Sequence, residues 1–244
     1  MTEPILRIDN ATKRFRGLIA INNVSLAVPT GAICSLIGPN GAGKSTLFNL
    51  ITGYAPLTAG TIHYKGRRLD GTDTPRIARL GIARAFQIAK PFPDLSVLDN
   101  VRLGALFGKD GPRDVARVTA DALALAGLDE LAARPSASLT VGNLRRLELA
   151  RAIAARPDLL LADEPCAGLN PSETAGVIGI LRQVRARGTT VLLVEHDMPA
   201  VMEVSDTIFV LDAGAKIAEG PPEAIARDPR VIAAYLGTPS AETV

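Results

Sequence analysis

The sequence predicts an α/β fold built on a mainly parallel sheet, and three observations carry the prediction. Ala32-Ile33-Cys34-Ser35-Leu36-Ile37, Asp158 to Ala162 and Thr189 to Val194 are short apolar runs, the pattern of strands buried on both faces. The first run leads directly into Gly38-Pro39-Asn40-Gly41-Ala42-Gly43-Lys44-Ser45-Thr46. That segment fits the Walker A pattern G-x-x-x-x-G-K-[ST]. The second run delivers two adjacent acids, Asp163 and Glu164.

The chain of 244 residues is long enough to bury a substantial core in one large domain or two intimately joined subdomains. Hydrophobic residues make up 47% and charged residues 21%, with a net charge of only +2, so composition makes no electrostatic case for a nucleic-acid partner. Cys34 and Cys166 stand in apolar or motif contexts and read as reduced, small hydrophobic residues. Met1-Thr2-Glu3-Pro4 lacks the pattern of a signal peptide. No apolar run approaches the ~20 residues of a membrane span. The expectation is a cytosolic protein whose membrane role, if any, comes through a partner.

Each element has its own warrant. Ile5 to Asp9 and Ile19 to Val28 alternate apolar and polar residues and read as strands ahead of the phosphate loop. Between them lies Lys13-Arg14-Phe15-Arg16-Gly17, whose Phe15 either stacks on a nucleobase or closes one end of the sheet. A helix opens at Lys44. Gly60 to Arg68 reads as a short hairpin, and Gly81 to Gln87 as a strand ending at Gln87. Val97 to about Ala133 is helical in pattern, broken by Gly108 to Pro112. Leu139 to Arg146 leads into a further helix that Pro157 ends. A helix from about Ser172 to Arg187 precedes the Thr189 strand, which delivers Glu195-His196-Asp197. Strands at Thr207 to Leu211 and Lys216 to Glu219, then short helices at Glu223 to Arg227 and Arg230 to Leu236, complete the chain before a loose tail.

Chemistry explains the residue types. A loop around a triphosphate must turn several backbone N–H groups inward, and Gly38, Gly41 and Gly43 permit it, with Pro39, Asn40 and Ala42 between them. Lys44 supplies a charge for the β- and γ-phosphates, and the Ser45 hydroxyl, beside Thr46, can ligate Mg²⁺. The helix N-terminus adds its positive dipole end. Asp163 can hold Mg²⁺ through its water shell, and Glu164 can orient or deprotonate a water for in-line attack on the γ-phosphate of ATP. His196 can bond the γ-phosphate or hold that water, and the Gln87 amide can both ligate Mg²⁺ and sense the γ-phosphate. Singly, each has a plain alternative: a solvated acid, a capping residue, a surface amide. Jointly, at strand ends in this order, they point to one site.

These motifs resemble those of the nucleotide-binding subunits of ABC transporters, and the match runs from about Ile5 to Gly237. It comprises Walker A, a Q-loop glutamine (Gln87), a signature segment (Leu139 to Arg146), Walker B (Leu159 to Glu164), a D-loop (Ala167-Gly168-Leu169-Asn170) and an H-loop histidine (His196). The resemblance implies one cassette over 1–237, with a tail at 238–244. Within it would lie a P-loop NTPase core, an antiparallel β subdomain carrying Phe15, and an α-helical subdomain at about 90–155. It also implies a head-to-tail dimer in which Thr140, Val141, Gly142 and Asn143 face the partner's ATP, with Asn170 in the D-loop. The signature departs from the common L-S-G-G-Q: Val141 replaces the first glycine and Asn143 the glutamine. A β-branched residue resists φ > 0, so the loop is expected to work with one flexible residue or to be weakened, and the two ATP sites of a mixed dimer need not be equivalent.

Lys13 to Leu18, Asn22-Asn23-Val24-Ser25, Ala167 to Pro171 and the closing Val231 to Gly237 are similar to the LivG-type ATPases of branched-chain amino acid importers. That branch implies two membrane permeases, a second ATPase subunit and a periplasmic solute-binding protein, with the cassette peripheral on the cytoplasmic face of the inner membrane. Related members serve urea, short amides or aromatic acids. Lipopolysaccharide-exporter ATPases share the closing Tyr-Leu-Gly and stay open as an alternative. A soluble ABC ATPase acting on ribosomes or DNA usually carries two cassettes or a long coiled coil, which this chain lacks. A P-loop kinase leaves the signature, D-loop and His196 unexplained.

Overall fold

The computed structural model describes residues 3–88 and 90–236; the expected tail at 238–244 and the closing Gly237 lie outside the described residues. Strands β1 (Pro4–Phe15) and β2 (Leu18–Pro29) form an antiparallel ribbon. β1 runs past Asp9, because a register shift between Ile8 and Ala11, with Asn10 at φ 50°, absorbs an irregularity without ending the pairing. Lys13, Arg14 and Phe15 therefore finish a strand, and only Arg16-Gly17 make the turn to Leu18. β3 (Ile33–Ile37) is buried at every position and ends at the glycine loop that feeds α1 (Lys44–Ile51). Fully burying one such Ile or Leu side chain contributes about 2 kcal/mol. β4 (Ala59–Tyr64) and β5 (Arg67–Arg68) form the expected hairpin and pair back onto β1, giving a four-stranded sheet in the order β2-β1-β4-β5.

Helix α2 (Thr74–Leu80) and strand β6 (Ile82–Ala85) follow. α3 (Val97–Phe107), α4 (Val115–Ala126) and α5 (Val141–Ala154) then pack on one another around Val97, Val101, Leu123 and Leu147, a core of their own. β7 (Leu159–Asp163), α6 (Pro171–Ala186), β8 (Thr190–Val194), α7 (Met198–Val204), β9 (Thr207–Asp212) and β10 (Ala215–Gly220) return to the main sheet, and α8 (Pro222–Ile225) and α9 (Pro229–Leu236) close the described chain. The main sheet runs β10-β9-β3-β8-β7-β6, parallel throughout except for β10 at one edge. β7 and β8, like β3, are buried at all positions.

One expectation needs correction. Gln87 does not end a strand: the β6–β7 pairing stops at Ala85 opposite Ala162. Beyond it Phe86 turns to stack edge-on against Tyr54 at 5.9 Å, and Gln87 lies in the bend that follows. In the main sheet β8 stands between β7, which carries Asp163, and the phosphate-loop strand β3. Cys34 and Cys166 are buried free thiols. Among the described residues no helix is long and apolar enough to cross a membrane.

Candidate active site

The glycine loop after β3 takes its shape from close backbone approaches. Gly38, Gly41 and Gly43 have φ of 149°, 82° and 105°. A Cβ at Gly38 would sit 2.0 Å from the Leu211 carbonyl oxygen, and one at Gly43 2.6 Å from that of Ala20, so both positions exclude a side chain twice over. The β9–β10 turn braces the loop: the Gly214 N–H donates to the Ala42 carbonyl (3.1 Å), and the Gly214 carbonyl accepts from Asn22 N–H (2.8 Å). Gly43 caps α1 without a side-chain acceptor for the first helical amides among the described residues. Those amides are left for an acceptor from outside the helix. Lys44 is buried, and its Nζ donates to the carbonyls of Gly38 (2.7 Å) and Pro39 (2.9 Å). Burial holds its pKa below the ordinary lysine value, against the opposing charges of Glu164 and Asp163.

Above the loop lies a cleft of about 560 Å³. Asn40 to Thr46 line it together with Phe15, Leu18 and Ile19 from the β1–β2 hairpin, Glu164 and His196 from the ends of β7 and β8, and Ala213-Gly214. Phe15 is 47% exposed at this cleft, with the Lys13 ammonium 4.7 Å from its ring centroid. The sequence did not place Leu18, Ile19 or the Ala213-Gly214 turn at this cleft. Nothing in their local pattern marks them, because only the pairing of β1 with β2 and of β9 with β10 carries them to the loop.

Three residues that the sequence placed near the γ-phosphate form one hydrogen-bonded cluster. Glu164 Oε1 lies 2.6 Å from His196 Nε2, and its Oε2 accepts from Gln87 Nε2 at 2.5 Å. Glu164 sits in the left-handed region at φ 48°, its N–H donating to the Val194 carbonyl (2.8 Å). A non-glycine residue there costs on the order of 1 kcal/mol, the kind of local strain that gathers at functional sites.

Next to it, Asp163 Oδ2 accepts from Arg84 Nη2 at 2.5 Å, in a pair whose side chains are 8% and 4% exposed. The other oxygen, Asp163 Oδ1, is buried and has no partner among the described residues. Arg84 also donates to Asn49 Oδ1 on α1 (2.7 Å) and lies 4.7 Å from the Phe86 ring centroid and 5.6 Å from that of Phe48. It joins β6, α1 and the acid of β7. The sequence reading passed over it, since an arginine in a candidate strand carries no motif.

Thr140, Val141, Gly142, Asn143 and Asn170 line no part of this cleft. Thr140 is the N-cap of α5, accepting from Asn143 N–H at 3.3 Å. Val141 is the first helical residue and keeps a negative φ, so the expected conflict between its branched side chain and a positive φ does not arise. Gly142 is also helical. It is small for a different reason: a Cβ there would meet Glu173 Oε1 at 2.4 Å. Asn170 caps α6, and Glu173 returns the bond to the Asn170 N–H (3.1 Å), a complete capping box. The two helix N-termini thus meet at Gly142 and Glu173, with Val141 56% exposed beside them.

Comparison with known proteins places the chain in a family. A family model described as ABC transporter matches residues 21–167, and one described as branched-chain amino acid ATP-binding cassette transporter matches residues 215–241. The chain is 42% identical to the high-affinity branched-chain amino acid transport ATP-binding protein LivG of Salmonella typhimurium, over 97% of this chain and 99% of the relative. It is 40% identical to BraF of Pseudomonas aeruginosa over the same shares. Among solved structures, an ATP-binding cassette of an ABC transporter in its ADP conformation superposes with a TM-score of 0.87 at 29% identity, covering 97% of this chain and all of the other. A dimeric cassette bound to ADP and phosphate gives 0.80 at 26% identity, over 89% and 98%. The chain therefore belongs to the ABC transporter family, as an ATP-hydrolysing, ATP-binding subunit of the LivG/BraF branch.

Proposed function

We propose that this subunit binds ATP with Mg²⁺ in the cleft above Gly38 to Thr46 and powers import of branched-chain amino acids or related small polar solutes. In this reading it works on the cytoplasmic face of the cell membrane with two permease subunits, a second ATPase subunit and, indirectly, a solute-binding protein. The names of its relatives support the substrate class, and the dimeric cassette supports the pairing. The cassette spans 1–237, with the α3 to α5 layer as a helical subdomain at about 90–155. Thr140, Val141, Gly142, Asn143 and Asn170 would meet the partner's nucleotide.

The observation that carries the catalytic part is the Gln87–Glu164–His196 cluster at the cleft. Glu164 is the general base for the attacking water, and His196 and Gln87 hold its carboxylate in place. Lys44 and the amides of the loop take the phosphate charge, and Phe15 offers a ring to the base. The buried, unpartnered Asp163 Oδ1 fits a cation whose remaining ligands are waters and phosphates. Ser45 is exposed next to Lys44 and would share that ion with Asp163 and Gln87. The ion would supply charge neutralisation at the phosphates.

Replacing Lys44 by Ala tests the site. Removing a charge-assisted bond of about 2–3 kcal/mol predicts roughly 30- to 150-fold weaker ATP binding by calorimetric titration. Unchanged affinity contradicts the assignment.

A further inference from the structure

We propose that Glu195 is a positioning residue for hydrolysis: its buried carboxylate clamps the loop that carries Glu164 to the loop that carries His196. The proposal rests on the reading of Glu164 and His196 as the catalytic pair. Glu195 follows β8 and is 2% exposed. Its Oε1 accepts from the Cys166 N–H at 2.7 Å, two residues past Glu164, and its Oε2 accepts from the His196 N–H at 3.0 Å. The β7–β8 ladder ends at Asp163 opposite Val194, and the bond from Glu164 N–H to the Val194 carbonyl is the last link of main chain to main chain. Beyond that point the two loops are joined through side chains, by the Glu195 carboxylate on the Cys166 N–H and by the 2.6 Å Glu164–His196 contact.

A carboxylate suits this place for a definite reason. Two backbone donors from opposite loops each meet a different oxygen, and a carboxylate offers an acceptor to both. Glutamine would satisfy one and turn an NH₂ towards the other, leaving a buried N–H without an acceptor. Holding a buried carboxylate on two neutral backbone donors is costly to the fold. An apolar residue at the end of β8 would cost less. The cost is understandable where two loops must be kept in register to within a hydrogen bond. Cys166 is locked into the same arrangement: burial raises its thiol pKa, and the Glu195 charge and hydrogen bond add to the shift. From the other side, Arg145 of α5 donates to the Ala167 carbonyl at 3.3 Å, so the segment after Glu164 is held from the signature helix as well.

The test is Glu195→Gln in the full subunit, assembled with its membrane partners. The clamp predicts a kcat about tenfold lower with the KM for ATP unchanged within twofold, since the phosphate loop is untouched, and partial recovery of kcat in Glu195→Asp, which keeps two acceptors. Combined with Glu164→Gln, the Glu195 change should lower single-turnover hydrolysis by less than twofold further, because residues that act as a unit are not additive. Hydrogen exchange should quicken at the amides of 165–169 and 195–198 and stay as before in α1. A kcat within twofold of the parent, a full tenfold loss on top of Glu164→Gln, or faster exchange that includes α1 overturns the clamp. Near-normal turnover in Glu164→Gln itself brings down the catalytic reading and the clamp with it. A dead Glu164→Gln beside a fully active Glu195→Gln brings down the clamp alone.

Discussion

Arg84 shows what single residues do here that motifs do not reveal. Its guanidinium neutralises Asp163 inside the protein while leaving Oδ1 of that carboxylate without a partner, so the acid is oriented as well as paired. Breaking a buried pair by removing one member is far worse than its net value suggests, because the charge left behind has lost its water. Arg84→Met is therefore predicted to cost about 3 kcal/mol in urea unfolding. An unfolding midpoint equal to that of the parent would mean that Asp163 has no need of its partner. That Gly41, Gly43, Lys44 and Ser45 would share one cleft with Glu164 and His196 was legible from residue type and order. Arg84 and Glu195 were not. Their roles depend on what lies across the sheet: Arg84 in β6 and Glu195 just past β8 read as exposed charges until Asp163 and the Cys166 N–H are placed beside them.

At the scale of elements, legibility followed burial. β3, β7 and β8 declare themselves because every position is inside. α2 and α7 stay silent because seven residues with few buried positions make no helical repeat. Their Asp caps followed by Pro in the first turn, Asp73 with Pro75 and Asp197 with Pro199, were the available signals. The signature helix was read for the wrong property: the sequence suggested a flexible loop limited by Val141, whereas Val141 and Gly142 begin a regular helix. What matters at Gly142 is the Glu173 carboxylate, already committed to the α6 capping box. Gly142→Ala should displace it and remove about 1 kcal/mol of cap stability. The same substitution in a Glu173→Ala background should be nearly neutral. Equal costs in both backgrounds, by denaturant unfolding, would show that the contact is not what keeps residue 142 small.

Across the whole molecule, one acid joins all three layers. Asp158 precedes β7 and accepts from Lys65 of the β4–β5 turn (2.5 Å) and from Lys109 beyond α3, whose Nζ lies 2.8 and 2.7 Å from its two oxygens. Burial pushes the Asp158 carboxyl up, but the hydrogen bonds from Lys109 and Lys65 outweigh it and hold the pKa below the ordinary 3.8. A depressed carboxyl stabilises the fold above its unfolded pKa, and that contribution disappears as pH falls through the lower folded value. Asp158→Asn should cost about 1 kcal/mol at pH 7, and the gap to the parent should close as pH drops below 3.8. A gap independent of pH would deny the pairing its role.

On the proposed reading, Glu164 is the base that activates water beside the bound nucleotide. The direct measurement is phosphate release and ATP binding by Glu164→Gln in the assembled transporter. Nucleotide affinity should stay within a few-fold of the parent while turnover falls by roughly 10²- to 10⁴-fold, the range a general base supplies. Turnover close to that of the parent, with ATP still bound, would contradict it.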